Sequence, residues 1–120
     1  MHIVEIALQV ILGMIFLAAG LTKVVASKAA LQPKMAWVDS FPAVAVKGIG
    51  AAEALGALAL LLPLVSPLPN ALALLAAICL AITMVLAIVV HVRLKETAQS
   101  LPAGILLLLL LALIALLIAQ

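Results

Sequence analysis

The chain has 120 residues, 70% of them hydrophobic and 8% charged, with a net charge of +2. A soluble domain is about half apolar and a quarter charged, so these residues cannot coat a water-soluble globule, and disorder needs the opposite composition. Six scattered basic side chains are too few for a nucleic-acid surface, and a single cysteine, Cys79, excludes an intrachain disulfide and a CxxC motif.

What remains is an all-α integral membrane protein. Four apolar segments make one transmembrane domain over 1–120, with helices predicted at about 3–25, 43–62, 70–90 and 103–119. At the helical rise they span roughly 25 to 35 Å, against a hydrocarbon core of ~30 Å. Short connections make the four-helix bundle antiparallel. The first segment starts Met1-His2-Ile3-Val4-Glu5, without Lys or Arg, and its apolar stretch is longer than a signal peptide needs. It reads as a retained transmembrane helix, with Glu5 and Gln9 at its outer, interfacial end.

The first break carries Lys28, Pro33, Lys34, Trp37 and Asp39, and Pro42 starts the second helix. Pro63, Pro67 and Pro69 end the second helix, each lacking a backbone donor, and Asn70 caps or begins the third. The third break, from His91 to Ser100, holds Arg93, Lys95 and Glu96, and Pro102 opens the fourth helix. Every Lys and Arg lies in or beside the first or third break, which in a four-span chain share one face. The bias toward a cytoplasmic location is complete. Both termini are expected outside, with loops at about 26–42 and 91–101 in the cytoplasm of a bacterium's inner membrane.

Helices in lipid associate through close packing and a few polar contacts. Gly48, Ala52 and Gly56 form a four-residue stripe on the second helix, flanked by Gly50, Ala54 and Ala57, and the first helix offers Gly13 and Gly20. These small residues predict close contact between the first two helices. Ile105 to Leu111 is one Ile followed by six Leu, and a helix apolar all round is expected at the periphery. Cys79 reads as a small buried hydrophobe.

Glu53 lies about ten residues into the second helix, roughly 15 Å from its start and near the bilayer midplane. A carboxylate facing lipid there is costly, so it is expected to point into the bundle. Lys47, six residues away on the same helix, is not a facing partner. Thr83 lies at similar depth on the third helix, and Lys23 and His91 lie nearer the cytoplasmic boundary. Glu53 reads either as a proton or ligand site or as a neutral carboxyl that bonds between helices and fixes their register. Lys23, Lys47 and His91, with Trp37 and the deeper Glu53, are expected to line a shallow polar pocket open to the cytoplasmic interface. The alternative is that the lysines snorkel to head groups and Trp37 anchors the interface. His91 has one other histidine, His2, at the opposite face, so neither a bis-His haem site nor a zinc cluster is expected.

Several stretches together resemble the DoxX-like family of small four-span membrane proteins. They are Gly20-Leu21-Thr22-Lys23, Phe41-Pro42, the run from Lys47-Gly48 through Glu53 to Gly56-Ala57, Leu62-Pro63, Met84-Val85-Leu86-Ala87 and His91-Val92-Arg93. The resemblance covers nearly the whole chain. It implies a four-helix membrane fold whose polar signature falls on Lys23, Lys47, Glu53 and His91. It also implies an association with membrane redox complexes, since the family takes its name from a subunit associated with thiosulfate:quinone oxidoreductase, and distant animal relatives help assemble receptors.

The expected function is that of a membrane subunit or helper without catalytic activity or bound cofactor of its own. Its polar pocket would contact a quinone-like or lipid-like molecule or a partner protein, either another membrane protein or a second copy. The first alternative is a small proton-coupled multidrug-type transporter, which would also use four helices and one membrane glutamate. In those transporters, however, the glutamate lies in the first helix among aromatics. The second alternative is a subunit of a quinone-linked oxidoreductase.

Overall fold

Each apolar segment forms one helix, and no strand occurs among the described residues, which are 2–25, 43–95 and 100–119 of a computed structural model. The helices are α1 (His2–Val25), α2 (Ala43–Val65), α3 (Asn70–Arg93) and α4 (Ser100–Ile118). All four are long and apolar enough to cross a membrane. The long axis of the molecule is 41 Å, close to the thickness of a bilayer with its head-group layers, about 40–45 Å.

Local chemistry explains the helix ends. α2 runs through Pro63 to Val65, past the expected end at Leu62, because one missing donor does not stop a helix that lipid and neighbouring helices support. Ser66 Oγ donates back to the Leu62 carbonyl at 2.6 Å in this last turn. Asn70 begins α3, and the cap position itself is Pro69, in extended conformation with no side-chain cap. α3 continues to Arg93. There Leu94 N–H donates to Val90, Lys95 N–H donates to Val92, and Lys95 takes the left-handed conformation at φ 61° that terminates many helices. α4 starts at Ser100, and Pro102 is tolerated because first-turn N–H groups have no intrahelical acceptor.

α1 packs most extensively on α2 and α3 on α4, and the α2–α3 and α1–α4 contacts close a ring of four antiparallel helices. The core is built from Leu12 and Phe16 of α1, Ala57 and Leu60 of α2, an alanine-rich face of α3, and Leu110, Leu113 and Leu117 of α4. Alanine at 73, 76, 77 and 81 lets α3 approach its neighbours closely. Large apolar side chains such as Leu55, Leu75, Leu86 and Leu108 point outward, as lipid permits and water does not. α4 is not peripheral. Ala103, Leu110, Leu113 and Leu117 follow one another at seven-, three- and four-residue spacing and bury one stripe of an otherwise uniform leucine helix. Cys79 is exposed, on the outer face of α3, so the expected buried position is corrected.

Candidate functional site

The first two helices meet through buried stripes of nearly the same period. On α1 the stripe is Glu5, Gln9, Leu12, Phe16, Gly20 and Lys23, and on α2 it is Val46, Gly50, Glu53, Ala57 and Leu60. Spacings of three and four residues hold each set on one helix face. Where the stripes cross, the backbones almost touch. A Cβ at Gly20 would lie 2.5 Å from the Gly50 carbonyl oxygen and 2.6 Å from the Ala54 nitrogen. A Cβ at Gly50 would lie 2.6 Å from Lys23 Cβ and 2.7 Å from the Gly20 carbonyl oxygen.

That crossing positions the charged pair. Gly50 leaves a groove in which the stem of Lys23 lies flat on α2. Side chains on a helix lean toward its N-terminus, so Lys23 leans into the membrane and Glu53, on the antiparallel helix, leans back toward it. Lys23 Nζ donates to Glu53 Oε1 at 2.5 Å. The carboxylate is 2% exposed and the lysine side chain 11%. In a medium with almost no water, each charge is the other's compensation for lost hydration.

The other expected site residues take different places. Lys47 is exposed and donates to the Val24 carbonyl at 2.7 Å, placing a cation on the C-terminal end of α1, where the helix dipole favours it. Thr83 turns back to its own helix and donates to the Cys79 carbonyl at 3.0 Å, satisfying its hydroxyl locally rather than at Glu53. His91 is half-buried in the last turn of α3. Trp37, Lys28 and Lys34 lie outside the described residues.

The packing stripe needs correction as well. Gly13 faces Leu61 and Gly20 faces Gly50, both across the α1–α2 contact. Gly48 has nothing within 4 Å of an added Cβ, and Ala52 is exposed, so neither packs on α1. Gly56 faces Leu80 of α3 instead. The contact face of α2 is set by Glu53, and residues at 48 and 52 fall on the outward side of it.

Glu5 and Gln9 face the bundle rather than its outside. They are 4% and 1% exposed, and Gln9 Nε2 donates to the Leu60 carbonyl of α2 at 3.1 Å. The sequence does hold a signal for this: Glu5 and Gln9 continue, at helical spacing, the stripe that ends in Gly20 and Lys23. Among the described residues no group of three or more His, Cys, Asp or Glu is placed to hold a metal ion.

A ring of four apolar, antiparallel helices with a salt bridge sealed between the first two defines a small multi-pass membrane protein. Its sequence matches the DoxX-like family over residues 7–114, nearly the whole chain, and the protein belongs to that family. Neither the curated proteins nor the solved structures gave a match.

Proposed function

We propose that this DoxX-like protein is a non-catalytic subunit or helper of the bacterial inner membrane, with both termini outside and the two basic connections in the cytoplasm. Its working surface is the basic end of the bundle, the end that the C-terminus of α1, the N-terminus of α2 and the C-terminus of α3 share in an antiparallel arrangement. There Lys47 and His91, above the buried Lys23–Glu53 pair, offer a small polar site to a quinone-like or lipid-like head group, or to a polar segment of a partner protein.

The observation that carries this reading is the Lys23–Glu53 ion pair. Glu53 already has a cation beside it, so the geometry favours a neutralised polar floor over an open carboxylate that takes up protons and cationic substrates in turn. Lys47 at the rim, exposed and donating to the Val24 carbonyl, adds a positive charge at that end.

The test separates the site from the scaffold. In a strain where loss of the gene gives a phenotype, the charge-free double variant Lys23→Met/Glu53→Leu is expected to reach the membrane at wild-type level and fail to complement. His91→Ala is expected to complement partially. Full complementation by both would leave the polar residues a purely structural role.

A further inference from the structure

The two partners of the buried ion pair do not depend on it equally. Lys23 stands two residues from the end of α1, and a lysine so placed can snorkel its ammonium to the head groups without a partner. Glu53 cannot. It lies ten residues from the start of α2, near the bilayer midplane and on a short side chain, where an ionised group is costly to any helix. α2 is also the helix least able to bear that cost, with the lowest mean hydropathy of the four. Residues 43–54 hold three large apolar side chains, Val44, Val46 and Ile49, beside Lys47, Gly48, Gly50 and Glu53. The leucines, which favour lipid, are gathered in residues 55–65. The poorly apolar half of α2 is the half that α1 covers with polar partners. Lys23 donates to Glu53, Lys47 donates to the Val24 carbonyl, and the two backbones meet at Gly20 and Gly50.

We propose that α1 is the insertion partner of α2. The two helices enter the bilayer as one hairpin, and Lys23 carries Glu53 into the hydrocarbon. α1 precedes α2 in the chain, so its cation is in place when the acid arrives. The dependence runs one way: α1 spans without α2, whereas α2 spans only beside α1. α3 carries its charge in the last turn, and α4 carries none, so neither needs a partner to cross.

The test reads the topology of the full chain within a synthesis pulse, before folding or turnover can select among molecules. Cys79→Ser removes the native thiol. Ser66→Cys, between α2 and α3, or His2→Cys, at the start of α1, then supplies a single replacement. Spheroplasts and inverted vesicles are treated with a membrane-impermeant maleimide. With Lys23 and Glu53 intact, position 66 is expected to react from one face. Lys23→Ser is expected to change the ratio between the two faces at position 66 by at least about tenfold, with position 2 unchanged. Adding Glu53→Leu, which removes the need for a partner, is expected to restore the original pattern. An unaltered pattern in Lys23→Ser would show that α2 crosses by itself and would overturn the proposal, as would a shift that Glu53→Leu does not reverse. A shift at position 2 as well would make Lys23 an orientation signal for α1 and not the carrier of Glu53, and would overturn it too.

Discussion

Glu53→Gln is expected to destabilise the bundle by about 3–5 kcal/mol, the usual cost of stripping one partner from a buried ion pair. The substitution keeps the volume of the side chain and removes its charge. It leaves the Lys23 ammonium against α2 without the Glu53 charge, in a stripe whose neighbours are Gly20, Gly50 and Ala57. Lys23→Met is expected to cost a similar amount by leaving the carboxylate. The double variant Lys23→Met/Glu53→Leu is expected to recover most of the loss, because apolar side chains of similar size need no compensation for desolvation. Unfolding in mixed micelles titrated with a denaturing detergent gives the four corners of this cycle. Additive single losses in the double variant would mean that the two residues act independently, and would remove the pair as the element joining α1 to α2.

The second large effect falls on the glycines at the crossing. Gly20→Ala puts a methyl 2.5 Å from a backbone oxygen and 2.6 Å from a backbone nitrogen. Backbone cannot rotate away as a side chain can, so the helices must separate, at a cost of about 1–3 kcal/mol. Gly50→Ala meets both the Gly20 carbonyl and the stem of Lys23, and is expected to cost at least as much because it also displaces the ion pair. Gly48→Ala and Gly104→Ala provide the contrast. Nothing lies within 4 Å of either position, so the gain in helix propensity, up to about 1 kcal/mol, is expected to appear as slight stabilisation. Gly13→Ala is expected to cost less than Gly20→Ala, since the atoms in its way belong to the Leu61 side chain, which can repack, and not to backbone. The same denaturation series checks all five. Equal effects at Gly20 and Gly48 would contradict the assigned contact face.

Much of this architecture is legible in the sequence. Segment length, apolar content and prolines near the breaks are enough to place four helices in lipid, because in hydrocarbon every backbone group must be satisfied within the chain. Depth along the helix is enough to turn Glu53 inward. Finding its partner is harder. Lys23 stands close to a helix end, where lysines commonly snorkel, and only the glycine at 50 and the tilt of side chains on two antiparallel helices send it inward. The packing stripe shows the same difficulty. Gly48, Ala52 and Gly56 have the spacing of a contact motif, yet a buried Glu53 commits the helix to the face of Val46, Gly50, Ala57 and Leu60.

Gln9 and Glu5 show how a position near a chain end misleads. Distance from the terminus suggests an interface, whereas helical spacing from Gly20 and Lys23 puts both on the buried side. For α4 the pattern is silent. Six successive leucines carry no face of their own, and only contact with α1 and α3 selects Leu110, Leu113 and Leu117 for the interior.

The ion pair between α1 and α2 carries the rest of the account, and solid-state NMR in lipid bilayers addresses it directly. In protein with labelled lysine ammonium nitrogens and glutamate carboxyl carbons, a dipolar contact within about 4 Å is predicted, lost in both Lys23→Met and Glu53→Gln. A spectrum with no such contact, together with ready modification of Lys23 by a water-soluble amine reagent, would place that lysine at the head groups and contradict the sealed pair.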